Sequence, residues 1–237
     1  MTEEKQKAFD IFLKRAGVSF HDESLLKTAF THRSYLNEQG GGVTPDKQEH
    51  NERLEFLGDA VLELSVTDYL FKKYPNVTEG HLTAYRAALV NATMLGTIAE
   101  SLGMNDCLLL SKGEAKDTGR ARATILANTF EAVVGALYLD QGFEGANTFI
   151  RAHVLSKADE VVSSGAWRDA KSSFQEHAQA KYGLTPRYEV VHSEGPDHDK
   201  RFVVSLSVGD VAVSEGEGRS KQEAEQNAAE RALQSET

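Results

Sequence analysis

Several features that would define other protein classes are scarce in this 237-residue sequence. Its single cysteine, Cys107, excludes an intramolecular disulfide and a cysteine-cluster metal site, and its apolar neighbours 108–110 predict a packed thiol. No run of 18 or more apolar residues occurs, and the first residues lack the apolar segment of a secretory signal. We therefore expect a globular, cytoplasmic protein that makes no use of a membrane.

Positive charge is also in short supply. The chain has 26 Lys and Arg against 36 Asp and Glu, which gives a formal net charge of −10. Contacts with nucleic-acid phosphates need Lys and Arg, so the net charge alone argues against nucleic-acid binding. Basic residues need only line one surface, however, and carboxylates that hold a divalent cation make a site locally acidic. The charge predicts modest, salt-sensitive binding to nucleic acid.

The sequence contains neither a common nucleotide-binding motif nor a catalytic triad or dyad. The stretch 216–221 (GEGRSK) is superficially similar to a phosphate-binding loop, but it has the spacing of neither common nucleotide-binding motif, so no nucleotide cofactor is expected. The eight histidines are scattered and form no Ser-His-Asp or Cys-His arrangement. Catalysis by an activated side-chain nucleophile is therefore not indicated.

What the sequence does contain is a set of acids inside a core-forming run at residues 51–62, NERLEFLGDAVL. On an α-helix, Glu52, Glu55 and Asp59 stand at i, i+3 and i+7, so their carboxylates project from one stripe. Carboxylates in this arrangement can hold Mg²⁺, which prefers a few carboxylates together with waters and phosphate oxygens. The neighbouring apolar stripe is predicted to consist of Leu54, Leu57, Val61 and Leu64.

Gly58 lies within this stretch. A glycine inside a helix costs about 1 kcal/mol relative to alanine, so Gly58 indicates the close approach of another backbone or of a bulky ligand. The acids by themselves have a second interpretation, because charged helix faces are common. They could form a solvated face paired with Arg53 or Lys72.

The hydrophobic period predicts an all-α domain over residues 1–155. Asp22 or Ser24 can cap the second helix, Thr78 can cap a later one, and His32 and Arg33 taken alone are capping or packing residues. An exposed loop at 40–46 precedes the acidic helix, which should end before Pro75. Helices are expected over about 5–16, 25–30, 52–74, 79–90, 91–102, 122–139 and 143–155.

The pattern changes after residue 155. Residues 156–168 are predicted to be a linker, with a flexible joint at 163–165 (SSG). Residues 169–237 are predicted to form a small α+β domain of order α-β-β-β-α, with a hairpin turn at 209–210. Its helices and strands are expected at 170–182, 188–190, 202–208 and 211–213, followed by a terminal helix. That helix has a face small enough to lie close on a sheet, formed by Ala224, Ala228, Ala229 and Ala232.

Residues 51–62, together with 31–35 (THRSY), closely resemble the signature of the ribonuclease III family, and the α-β-β-β-α order resembles a double-stranded RNA-binding domain. The resemblance covers nearly the whole chain. It implies a homodimeric endonuclease that uses Mg²⁺, or Mn²⁺ in its place, to hydrolyse both strands of duplex RNA. The expected products are 5′-phosphate and 3′-hydroxyl ends with short 3′ overhangs, and the expected role is the processing of ribosomal, messenger and other RNA precursors.

The same resemblance implies the roles of individual residues. Metal ligation falls to Glu55, Asp59, Asn128 and Glu131, with Asp59 and Glu131 catalytic and with Glu52 and Glu79 as supporting acids. Asn128 stands where the family more commonly has an acid. This departure leaves open a catalytically impaired protein that binds double-stranded RNA, although retention of the other three acids favours an active enzyme. A hydrolase of small phosphate esters would leave the RNA-binding module without a purpose.

Contacts with RNA are implied for the C-terminal domain. Gln175 and Glu176 on its first helix and the loop 195–198, with His198, match positions that meet the minor groove, although each taken singly could be ordinary surface. Ser220 and Lys221 begin the last helix, where the exposed N–H groups favour phosphate. Family members often have two or more adjacent lysines at this point, where this chain has Lys-Gln-Glu. Its phosphate contacts therefore rest on fewer charges.

Overall fold

The computed structural model describes residues 3–38, 50–116, 118–165, 170–196 and 200–235. It divides into two compact units, Met1–Trp167 and Arg168–Thr237. The first is helical, and the second combines helices with an antiparallel sheet, which confirms the predicted fold class. No helix in the described ranges is long and apolar enough to cross a membrane.

The described part of the first unit contains nine α-helices, and the described part of the second unit contains two α-helices and three strands. The predicted loop at 40–46 lies outside the described residues. The elements are α1 (Glu3–Ala16), α2 (Glu23–Ala29), α3 (Arg33–Glu38), α4 (Glu52–Lys73), α5 (Glu79–Val90), α6 (Ala92–Ser101), α7 (Met104–Cys107), α8 (Arg120–His153), α9 (Ala158–Ser164), α10 (Ala170–Tyr182), β1 (Pro186–Glu194), β2 (Arg201–Val208), β3 (Val211–Gly218) and α11 (Lys221–Ser235).

Local sequence signals explain several of these boundaries. Asp22 caps α2, since its Oδ1 accepts a hydrogen bond of 2.9 Å from the Ser24 amide. His32 precedes α3 and accepts a hydrogen bond from the Ser34 amide at 3.3 Å. Thr78 stands at the N-cap of α5. Cys107 is buried, and burial raises the pKa of its thiol to about 12, which confirms the predicted packed thiol.

Helices α4 and α8 form the centre of the first unit. Gly142 interrupts α8 with a non-helical backbone of positive φ (φ 74°, ψ −174°) and divides it into two helical segments, which correspond to the two helices predicted there. The first segment packs its apolar face against α4. Fully buried aromatic rings complete the core: Phe12 of α1, Phe30 at the end of α2, and Phe130 and Phe149 of α8.

The apolar stripe of α4 differs from the prediction at one position. Leu54 and Val61 are buried, and Leu57 is half-buried, but Leu64 is 59% exposed. The reason is that neighbouring helices cover the side of α4 that carries Leu62. A residue two positions further on is rotated by about 200° around the helix, and Leu64 therefore points away from the core.

The stretch predicted to be a linker contains regular structure. A 3₁₀ turn at Leu155–Lys157 leads directly into α9. Ala158 and Val161 of this helix are buried in the core of the first unit, so that core extends beyond residue 155. The two serines of the predicted flexible joint form the end of α9, and Gly165 follows with the left-handed backbone of a helix C-cap.

The second unit packs α10 and α11 on a sheet of order β1-β2-β3. A turn at 209–210 connects β2 to β3, as predicted, whereas β3 extends to Gly218, beyond the three predicted residues. The added part of the strand contains Gly216, which is in close contact with α11. A Cβ atom at Gly216 would lie 2.1 Å from the Ala228 amide nitrogen and 2.2 Å from the Ala224 carbonyl oxygen. The alanine face of α11 therefore lies directly on the strand, as its composition predicts.

Candidate active site and RNA-binding surface

The candidate active site is built on a close backbone contact between α4 and α8. A Cβ atom at Gly58 would lie 1.8 Å from the carbonyl oxygen of Glu131, and one at Gly135 would lie 2.2 Å from the carbonyl oxygen of Leu54. Only glycine is compatible with this approach, which confirms the interpretation of Gly58. The contact brings the acidic stripe of α4 against the part of α8 that carries Asn128 and Glu131.

Glu55 and Asn128 interact directly across this contact. The Asn128 side-chain amide donates a hydrogen bond to the half-buried carboxylate of Glu55. Burial and then the charge of Glu52 raise the pKa of Glu55 above its ordinary value, while the Asn128 hydrogen bond opposes this shift and the charge of Asp59 adds to it. Asn128 thus stabilises the ionised form of a carboxylate in a crowded acidic environment.

Glu131 is the most strongly perturbed acid of the site. Burial, followed by the charges of Asp59, Glu55 and Glu63, raises the pKa of Glu131 to about 7. Such a cluster is stabilised by a nearby positive charge. Its carboxylate and amide oxygens are the donor type that Mg²⁺ and Mn²⁺ prefer. The residues present therefore suit a hard divalent cation.

The side chains have suitable chemistry for a metal ion, but they are not arranged around a common point. Among the described residues, no three His, Cys, Asp or Glu side chains are arranged to hold a metal ion. The structure brings Glu55, Asp59, Asn128 and Glu131 together on facing surfaces of two helices, near enough to perturb one another. Their joint role as ligands is a proposal and is argued as such below.

The two supporting acids have different surroundings. Glu52 is half exposed, lies one turn before Glu55, and approaches Arg33 at 3.5 Å and His50 at 3.8 Å. Glu79 is exposed at the start of α5, where its Oε1 accepts a hydrogen bond of 3.2 Å from Thr83. The alternative pairing of the acidic stripe with Lys72 does not occur, because Lys72 pairs with Asp68 at 2.8 Å.

Glu63 is a further acid of this region that the sequence interpretation missed. It stands four residues after Asp59 and continues the same stripe by one turn, a signal that was available in the spacing. Its carboxylate pairs with Arg86 of α5 at 2.8 Å. Because the charge of Glu63 acts on Glu131, the ion pair belongs to the electrostatic environment of the site.

The second unit presents a polar surface on α10. Gln175 and Glu176 are exposed and, with Ser172 and Gln179, line an open depression of about 570 Å³. Lys221 is exposed at the first position of α11. Ser220 precedes it and accepts a hydrogen bond of 3.1 Å from the Glu223 amide, so its side chain also caps the helix.

Two of the predicted RNA contacts, His198 and Lys221, are not established by the structure. His198 lies outside the described residues, so the structure gives it no position. The carboxylate of Glu223 accepts a hydrogen bond of 2.7 Å from the Arg219 amide, which places a negative charge near the start of α11. Lys221 is thus accompanied by an acid at the helix end where phosphate binding is expected.

Comparisons with known proteins match both units. Residues 22–158 match the family model for ribonuclease-III-like domains, and residues 170–236 match the double-stranded RNA binding motif. The Ribonuclease 3 of Bdellovibrio bacteriovorus is 46% identical over 222 residues, with 93% of each chain covered. The Ribonuclease 3 of Bacillus cereus is 45% identical, with 96% of this chain and 91% of the relative covered.

Solved structures agree with these matches. The nuclease domain of ribonuclease III from Campylobacter jejuni has a TM-score of 0.55 and 38% sequence identity, covering 62% of this chain and 96% of that chain. A helical nuclease core followed by a module for duplex RNA defines the chain as an endonuclease of double-stranded RNA. It belongs to the ribonuclease III family, whose members are generally metal-dependent.

Proposed function

We propose that this enzyme is a Mg²⁺-dependent endoribonuclease, with Mn²⁺ able to substitute, that acts as a homodimer on ribosomal and other RNA precursors. Its products would be 5′-phosphate and 3′-hydroxyl ends with short 3′ overhangs. The observation that carries the proposal is the cluster of Glu55, Asp59, Asn128 and Glu131 on two helices that touch at Gly58. These four side chains supply only oxygen donors, as a hard divalent cation requires.

The chain's own residues have separable tasks in this proposal. Glu55, Asp59, Asn128 and Glu131 would hold the cation, and Asp59 and Glu131 would be the catalytic residues. The hydrogen bond from Asn128 would keep Glu55 ionised. When bound, a divalent cation supplies positive charge for both the attacking and the leaving oxygen of a displacement at phosphorus. Expulsion of the 3′-oxygen needs no 2′-hydroxyl, which is why a 5′-phosphate is the expected product.

A cleavage assay with end-labelled RNA tests this function. The full chain should cut a duplex in Mg²⁺ or Mn²⁺, should leave the same strand uncut when it is single, and should lose activity in excess chelator. Mapping both ends of the product determines which oxygen leaves. Cleavage that persists in chelator, or products with a 5′-hydroxyl, would contradict the proposal.

The exposed side of α4 supports the homodimer. Phe56, Leu64 and Phe71 are 83%, 59% and 70% exposed and lie on one side of the helix, beside the acidic stripe. Large exposed apolar side chains that recur about every two turns on one side of a helix mark an interaction surface. The nuclease domain of the Campylobacter jejuni enzyme shows structural flexibility in the region involved in its dimer formation. A second copy of this chain is therefore the partner that we propose for this surface.

We expect light scattering to give the mass of a dimer at micromolar concentration and the mass of a monomer for Phe56→Glu. Burial of a carboxylate in an apolar interface is costly, and this cost opposes association. Ile11→Glu, a change at an exposed apolar residue of α1, is the matched control and should remain dimeric. A parent protein that is monomeric and still cuts both strands of a duplex would exclude the dimer from the mechanism.

Asn128 decides between the active enzyme and the impaired alternative. We expect Asn128→Asp to lower the Mg²⁺ concentration for half-maximal cleavage, because the site gains a negative charge. The rate at saturating Mg²⁺ should change by less than about tenfold, or about 1.4 kcal/mol of barrier. Asn76→Asp, in the exposed turn after the far end of α4, is the control. If Asn128→Asp cleaves and the parent protein does not, Asn128 is an inactivating residue and the catalytic proposal fails.

A further inference from the structure

A charged pair lies next to the carboxylate cluster, between α4 and α5. The Nε atom of Arg86 lies 2.8 Å from Oε2 of Glu63, and Nη1 of Arg86 donates a hydrogen bond of 3.0 Å to Oγ1 of Thr67. The two charged side chains are 35% and 37% exposed. The guanidinium is thus attached to two residues of α4 that are one turn apart, and this double attachment defines the direction of the Glu63 side chain.

Glu63 lies close to the acidic cluster, so the direction of its side chain affects the charge of that cluster. Glu63 follows Asp59 by one helical turn on the same side of α4, so it is the next carboxylate in the acidic stripe. Its negative charge reaches Glu131 on α8 and contributes to the raised pKa of that residue. A Glu63 side chain released from Arg86 would therefore add an acid to the cluster.

We propose that Arg86 is a positioning residue that keeps Glu63 out of the cation site formed by Glu55, Asp59, Asn128 and Glu131. The inference rests on the proposed function, since it concerns the composition of the same site. Magnesium sites that act on phosphates use one or two carboxylates and leave positions for water and phosphate oxygens. A further carboxylate would strengthen cation binding and repel the RNA phosphate, so its restraint by Arg86 favours substrate binding.

Calorimetric titration of the full chain with Mn²⁺ alone, without RNA, tests the inference. Glu63→Gln should leave the dissociation constant for Mn²⁺ unchanged within about twofold, because Glu63 is already excluded. Arg86→Gln should tighten Mn²⁺ binding about fivefold, as expected for one additional charge at an exposed site. The double variant Glu63→Gln/Arg86→Gln should return to the value of the parent protein, because no released carboxylate remains.

RNA binding provides the second measurement, with a 20-base-pair duplex in Ca²⁺ and a filter assay. Arg86→Gln should weaken duplex binding by about fivefold, and the double variant should recover it, since the released negative charge is then absent. Glu100→Gln on α6 controls for the loss of a surface carboxylate. A merely structural role of Arg86 would lower the melting temperature equally in the single and double variants and would not move the Mn²⁺ constant.

Three results would overturn the inference. If Glu63→Gln weakens Mn²⁺ binding more than about fivefold, Glu63 is itself a ligand. If the double variant shares the defects of Arg86→Gln, Arg86 acts through packing or directly on RNA. If the parent protein binds no Mn²⁺, the proposed cation site fails and this inference fails with it. If Arg86→Gln does not fold, the Glu63→Gln titration still tests the inference, because weaker Mn²⁺ binding by that variant would show that Glu63 is not excluded from the site.

Discussion

Glu131→Gln is expected to reduce cleavage of duplex RNA at least about 1,000-fold, which corresponds to about 4 kcal/mol of barrier. Glu131 combines burial with the strongest perturbation in the cluster, since the pKa of its carboxyl is raised to about 7. The amide that replaces it is almost the same size but has no negative charge for a cation. Single-turnover cleavage at saturating enzyme isolates the loss in the chemical step.

The same variant should retain its affinity for RNA, because the substitution leaves the surfaces of α10 and α11 unchanged. We expect binding of a duplex in Ca²⁺ to change by less than about threefold, or about 0.7 kcal/mol. Glu100→Gln is the matched control for cleavage and should behave as the parent protein. Undiminished cleavage by Glu131→Gln would remove Glu131 from the active site.

Gly58→Ala is expected to lower the free energy of unfolding of the first unit by about 3 kcal/mol, and the melting temperature by about 6–12 °C. The added Cβ would lie 1.8 Å from the Glu131 carbonyl oxygen and 2.8 Å from the Gly135 amide nitrogen. These are backbone atoms, so the two helices must move apart. The helix propensity of alanine offsets only about 1 kcal/mol of this cost. Thermal unfolding followed by circular dichroism measures the effect.

Gly80→Ala is the control for that substitution. Gly80 lies in α5, and a Cβ atom there would meet no heavy atom within 4 Å. The free energy of unfolding of Gly80→Ala should be unchanged or raised by up to about 1 kcal/mol. Because Gly58 also fixes the separation of α4 from α8, Gly58→Ala should lose cleavage activity at temperatures where it is still folded. Equal stabilities of the two variants would show that the helices are not in backbone contact.

The net charge illustrates how a global property can mislead. A formal charge of −10 argues against nucleic-acid binding, yet residues 170–236 match a double-stranded RNA binding motif. Part of the excess negative charge is concentrated on α4 and α8, where a cation rather than RNA is the expected partner. Charge must therefore be considered surface by surface, and a sum over the chain does not reveal its distribution.

Local features of the sequence were sufficient for most of the helices, for the order of the strands and for the turn at 209–210, and Gly58 indicated a close approach. They did not predict α3, α7 and α9 or the full lengths of β1 and β3. The helical period of α4, the cap at Asp22 and the small face of α11 depend on spacing and on residue size. Both are properties of neighbouring residues and can be deduced without the fold. The acidic stripe was evident for the same reason, although its continuation to Glu63 was overlooked.

The tertiary structure decided what depends on contacts between distant parts of the chain. Leu64 is exposed because the neighbouring helices cover the opposite side of α4. Helix α9 belongs to the core of the first unit because Ala158 and Val161 are buried in it. The residues that interact at the site are far apart in the sequence: Asn128 donates a hydrogen bond to Glu55, and Glu63 pairs with Arg86, 23 positions away. The burial of Glu131 likewise depends on the packing of α8 against α4. Periodicity identifies the face on which a side chain lies, but only packing determines its partner, and the chemistry of this cluster depends on those partners.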